Sequence, residues 1–373
     1  MPARSKKRCE QSGRCSPEND RMNSLERLIA AGQGEPTDCV PVAPGVGHYA
    51  AFRARRPMTQ VAFDPELMAD VVLSSLARHG YDSCSPITDY GIGTESMGST
   101  AVVRDWEQTF VADFAVKSKA DVAHLRLPDP LKDGRMPVII GCEQILVERV
   151  GSSAGVNGAL AGPLSFAANL RGPQQILYDV LEDPQLVKDL VRISLDAAKS
   201  FGEAQIVHAG VKTVNIYEPI TTLVSTACGD EFSFPYLEDL IRHLHGLGAK
   251  VLLHICNDTT RLLQRMVDIG ADILSLDVQV DLARARQVAG TRASVSGHVA
   301  THNLAMAGPD AIYAESCRCI ERGAGRGRYT LSSSCEVPIE TPPENIDAMV
   351  RAAREFGAAF LQRVRAEEAV APA

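Results

Sequence analysis

From Met22 onward, short apolar runs alternate with longer segments whose apolar positions recur every three or four residues. The runs predict strands at 39–46, 83–88, 158–163, 213–219, 250–256, 273–277, 294–299 and 329–335. The segments 174–203, 232–247 and 341–365 carry helical spacing. Asn23 or Ser24 caps the first helix. Thr341 caps the last one, with Pro342 at its first position and Glu344 completing a capping box. Strand and helix in alternation imply a parallel sheet with right-handed crossovers, and eight such units predict a (β/α)₈ TIM barrel. A doubly wound sheet is the alternative, but no strand is followed by Gly-x-Gly-x-x-Gly. The glycines at 323, 325 and 327 precede a strand and read as a helix-to-strand loop. Between the second and third strands, 99–115 alternates apolar and polar residues. This predicts an inserted β-hairpin at the barrel mouth, to be read as a lid, a partner surface or plain decoration.

Residues 1–21 lack any hydrophobic period and carry Arg4, Lys6, Lys7, Arg8 and Arg14, so they read as a disordered extension. The rest, 22–373, reads as one barrel domain. A formal net charge of -8 sets aside a nucleic-acid footprint. No apolar run is long enough to span a bilayer, and no secretory signal opens the chain, so a cytoplasmic location is expected. Ten cysteines in 373 residues are too dispersed for a disulfide framework and read as reduced thiols, a subset of them serving a metal.

The chemistry-bearing residues gather at strand ends, where barrel enzymes place their catalytic groups. His254 and Cys256 are two apart, so on a strand they share a face. Cys335 ends the last strand in the same way. One imidazole and two thiolates suit Zn²⁺ with a fourth position left open. The same residues also read as core packing, and the spacing does not choose between the two. Glu218 ends another strand, as a weak fourth ligand, a partner for His254 or a turn cap. Asp89, just past the second strand, is placed to orient substrate or transfer a proton. Tyr217 and His298 are candidate substrate contacts, and Asp277 is a weaker candidate at its strand end. Cys317 and Cys319 are assigned to packing.

These residues resemble the uroporphyrinogen decarboxylase superfamily and, within it, the zinc methyltransferases of the methylcobamide:coenzyme M type. The resemblance runs from about Met22 to Arg365. It rests on Asn23–Leu28 with Asp38–Val42, Asp89–Gly98, Gly162-Pro163-Leu164-Ser165, Leu253-His254-Ile255-Cys256, Ser334–Pro338 and Thr341–Asn345. It implies that His254, Cys256 and Cys335 hold zinc. It also implies a methylcobamide on a separate corrinoid protein and a small-molecule methyl donor or acceptor of thiol type. A homodimer is compatible with it. True decarboxylases of the family carry an arginine-rich motif where this chain has Pro44-Gly45-Val46-Gly47-His48-Tyr49, and they lack the His/Cys/Cys set. Asp89 matches their essential aspartate. Gly297-His298 departs from the Gly-Asn usual in the methyltransferases. Three further readings stay open: a first-half methyltransferase passing methyl from a methoxy or other methylated donor to a Co(I) corrinoid protein; a metal-free decarboxylase; and a non-catalytic metal-binding partner of a corrinoid protein.

Overall fold

The computed structural model describes residues 22–325 and 327–370; the predicted extension at 1–21 lies outside them. Among the described residues nine strands form: β1 (Ser83–Cys84), β2 (Thr100–Val102), β3 (Phe110–Asp113), β4 (Gly155–Ala161), β5 (Thr213–Tyr217), β6 (Lys250–His254), β7 (Ile273–Ser275), β8 (Ser294–Val299) and β9 (Tyr329–Ser333). Seven of them make one parallel sheet in the order β1-β4-β5-β6-β7-β8-β9, and β2 and β3 pair antiparallel as the inserted hairpin. Helices fill the connections and pack outside, so the sheet curls into a TIM-barrel-like wall.

The predicted first strand, 39–46, is a correction. Pro41 and Pro44 have no N–H to give a ladder, and the segment forms only single parallel bridges, Val42 with Leu331 and Gly45 with Glu336. It still fills the seam between β9 and β1. Ala43 N donates to Leu331 O (2.8 Å), Leu331 N to Pro41 O (2.9 Å) and Asp82 N to Val42 O (2.7 Å). Asp82 completes the seam from within. Its buried carboxylate accepts from Val42 N, Arg27 and Arg354, each at 2.7 Å.

Helix boundaries follow the prolines. The predicted helix 174–203 is two helices, Pro173–Glu182 and Pro184–Val207, because Pro184 cannot continue the first. Asp183 caps the second through Leu186 N. The last predicted helix divides into Pro343–Arg354 and Phe356–Val370. Pro342 rather than Thr341 precedes its first turn, and the Thr341 hydroxyl makes no hydrogen bond. At the other end, Asn23, one of the two predicted caps, caps Ser24–Gln33 and forms a capping box with Glu26.

Strand alternation sorts the side chains. Val214, Ile216, Val251, Leu253, Leu274, Val295 and Leu331 point outward and are fully buried against the helices. The other parity of β6, namely Lys250, Leu252 and His254, faces a cavity inside the barrel.

Candidate metal centre

His254 is the last residue of β6; Cys256 and Cys335 each lie two residues past a strand end, in the loops rather than on the strands. Leaving the ladder lets the two thiols turn toward one point. One ligand atom from each of His254, Cys256 and Cys335 lies within 4.8 Å of the others, and His254 Nε2 stands 3.1 Å from Cys256 Sγ.

Neighbouring groups fix each member. His254 is buried, and its Nδ1 meets Ser275 Oγ at 3.1 Å, which leaves Nε2 for the cluster. Past Cys256 the chain turns through Asn257 at φ 67°, a left-handed conformation that asparagine tolerates better than most residues. Asp277 takes the Asn257 amide at 2.9 Å and the Val278 amide at 2.6 Å, so this strand-end acid holds the Cys256 loop. On the other side, Gly45 N donates to Ser333 Oγ, whose hydroxyl donates to Cys335 O (2.6 Å). The two thiols act on each other, which raises Cys256 above its ordinary range and lowers Cys335 below it, with His254 adding to the latter effect. A buried imidazole and two converging sulfurs suit a borderline-soft cation such as zinc.

The cluster opens on a cavity of about 1460 Å³ whose wall includes Asp89, Tyr90, Tyr217, Trp106, Gln108 and Glu336. Tyr217 packs edge-on to His254 at 6.0 Å between ring centroids. Asp89 lies on this wall, but its carboxylate is held by the Arg135 guanidinium at 2.6 and 3.0 Å and by Gly91 N at 2.8 Å. Glu218 is fully buried and faces away from the cluster. It accepts from Leu164 N (3.0 Å) and the Ser165 hydroxyl at the start of the helix Pro163–Arg171. Burial pushes its carboxyl up to about 7 against those two bonds. The His298 ring meets Val280 O at 2.9 Å and does not line the cavity. Cys319 is buried with its thiol toward His298 O.

Several site residues escape the sequence reading. Tyr90, 37% exposed, stands beside the thiols, and partial burial together with their charge raises its phenol above the ordinary range. Arg135 comes from a loop with no motif. Glu336 follows Cys335 directly and takes both His48 Nδ1 (2.9 Å) and His48 N (2.8 Å). Gly47 makes room for this pair, since a Cβ there would lie 2.3 Å from Glu336 Oε1. Adjacency to Cys335 was the available signal for Glu336; nothing in the sequence marks Arg135.

Comparison with known proteins agrees with this architecture. The family model described as uroporphyrinogen decarboxylase (URO-D) matches residues 23–356. A methylated-thiol–coenzyme M methyltransferase of Methanosarcina mazei is 26% identical over 90% of this chain and 90% of its own length. The methylcobamide:CoM methyltransferase MtaA of Methanosarcina barkeri is 26% identical over 88% and 97%. A uroporphyrinogen decarboxylase of Geobacter metallireducens is 25% identical over 87% and 96%. A solved methyltransferase from Methanosarcina mazei superposes with a TM-score of 0.82 and 26% identity, covering 90% of this chain and 99% of that one. The chain thus belongs to the uroporphyrinogen decarboxylase family and, within it, resembles the methyltransferase branch.

Proposed function

We propose that the protein transfers a methyl group between a methylcobamide, carried by a separate corrinoid protein, and a small thiol. One observation carries the reading: an imidazole and two thiols converge on one point of the cavity wall. His254, Cys256 and Cys335 would hold zinc, which supplies Lewis acidity that keeps a substrate sulfur deprotonated near neutral pH. In the thiol-methylating direction the thiol proton leaves to solvent. The sulfur–carbon bond forms as the cobalt–carbon bond breaks, and the bonding pair of that bond stays on cobalt. The residues of this chain set the geometry. Ser275 fixes the imidazole, Asp277 the Cys256 loop and Ser333 the Cys335 turn. Tyr90 and Tyr217 wall the substrate's approach.

Decarboxylation fits these residues less well. Asp89 would have to meet substrate with a free carboxylate, yet Arg135 engages both of its oxygens. The stretch 44–49 offers no arginine to bind substrate carboxylates. The reverse direction, with a methylated thiol as donor, finds support in the name of the Methanosarcina mazei relative, and the same residues would serve it. The test pairs metal analysis with methyl transfer from free methylcobalamin to added thiols. The reading predicts about one zinc per chain, lost in His254→Ala together with transfer. A protein without zinc that converts uroporphyrinogen would overturn it.

A further inference from the structure

The interior of a (β/α)₈ barrel is ordinarily filled by layers of branched side chains. Here Leu252 and Ile273 are the branched exceptions among lumen-facing strand positions that are otherwise largely small or polar. Ala159, Asn215, Ser275, Ser296 and Thr330 line the cavity, while the outward parity of the same strands keeps Val, Leu and Ile. The cavity therefore continues below the His/Cys/Cys cluster, past Asn215, to Lys250 at the start of β6 and to Leu25 and Leu28 of the first helix. From His254 to Lys250 is four residues of strand, roughly 13 Å at about 3.3 Å per residue. At about 1460 Å³ the space exceeds what even a drug-sized ligand needs, roughly 300–1,000 Å³, and far exceeds a two-carbon thiol.

The waist of this lumen carries an unmet hydrogen-bonding demand. Asn215 is 7% exposed, lines the cavity, and its Oδ1 accepts no hydrogen bond from the described residues. A buried amide oxygen calls for a donor. With Ser296 and Thr330 also lining the lumen, hydroxyls and an amide face an uncharged stretch between the cluster and a charged lower rim at Lys250, Asp272 and Arg292.

Building on the thiol-transfer reading, we infer that the lumen is a binding site for the arm of the thiol substrate. The substrate class is a linear thiol whose uncharged arm carries amide groups. Its sulfur sits at the cluster, and its arm runs down the barrel, with an amide N–H donating to Asn215 Oδ1. An arm of two amide units has about the reach of three extended residues, roughly 10 Å, which the lumen accommodates.

The experiment uses two probes on the whole protein. N-acetyl-β-alanyl-cysteamine carries the arm and the thiol; N-acetyl-β-alanine ethylamide carries the arm without sulfur. Calorimetry measures binding of the sulfur-free arm, and methylcobalamin demethylation compares the long thiol with 2-mercaptoethanol. Saturable binding of the sulfur-free arm is expected, with kcat/KM at least tenfold higher for the long thiol. Ser296→Leu and Thr330→Leu, which fill the lumen from different strands, should each lower that ratio tenfold or more. Their melting curves report folding, and either variant alone suffices. No heat from the sulfur-free arm, or a ratio unmoved in folded variants, overturns the inference. If short thiols accept methyl but the arm does not bind, the lumen site falls and the transfer reading stands. If the arm binds and lumen filling abolishes it while no thiol accepts methyl, the lumen site stands and the transfer reading falls.

Discussion

Asp82→Ala should open the barrel seam. The aspartate is fully buried and accepts from Arg27 Nη1, Arg354 Nη2 and Val42 N. Alanine removes all three bonds at once. Arg27 keeps Asp38 and the Met22 carbonyl, and Arg354 keeps the Gly80 carbonyl and Cys39, so neither guanidinium is stranded. The Val42 amide has no other acceptor in the seam, because Pro41 and Pro44 have already spoiled the ladder. Losing the charge-assisted bonds to the two guanidiniums costs about 1.5–3 kcal/mol each, and a buried amide left unpaired costs about 1–3 kcal/mol. The two overlap in one carboxylate, so a total of about 4 kcal/mol is expected. For 373 residues the unfolding entropy is about 0.8 kcal/mol per degree, which makes the expected fall in Tm about 5 °C. Differential scanning calorimetry measures it. Asp82→Asn, which keeps an acceptor oxygen for Val42, should fall in between. A shift below about 1 °C for Asp82→Ala would refute the idea that this carboxylate stands in for the missing strand.

Three further outcomes follow from particular contacts. Ser275→Ala removes the partner of His254 Nδ1 and should weaken zinc affinity about 10- to 100-fold in a chelator competition, with the fold unchanged; an unaltered affinity would show that Ser275 does not orient the ring. Gly47→Ala pushes a methyl group into Glu336 and should break its bonds to His48, costing about 1–3 kcal/mol by urea denaturation; a wild-type midpoint would contradict this. Glu143 is fully buried without a hydrogen bond, and burial alone raises its carboxyl well above 4.5. Below that pH it is protonated in both states and adds no pH dependence. As pH rises, only the unfolded chain ionises, so stability falls by up to about 1.4 kcal/mol per pH unit until the folded carboxyl also titrates. Glu143→Gln should therefore gain on the wild type from pH 4.5 upward, as read from urea midpoints; a gap that stays constant with pH would sink the assignment.

The alternating pattern was enough to place seven of the eight expected barrel strands, because burial on a helix-covered sheet writes itself into continuous apolar runs. It misread 39–46, whose apolar residues are buried like a strand while its prolines deny it a ladder. The hairpin was legible from its alternation. Helix breaks at Pro184 and at Glu355–Phe356 were missed because the hydrophobic period continues across them.

At the site, the sequence by itself determined which residues are capable of holding a soft cation, since imidazole and thiol chemistry is a property of residue type. It also determined that His254 and Cys335 belong to strand ends on one face of the barrel. What only the tertiary structure decided is direction. Glu218, Asp89 and His298 are all near strand ends, yet one faces a helix start, one is held by Arg135 and one meets the carbonyl of Val280. Arg135 and the small residues of the lumen carry no local signal at all, and Tyr90 is marked only by its place beside Asp89. Their role arises from distances across the barrel, and those depend on how every strand is tilted and closed against the next.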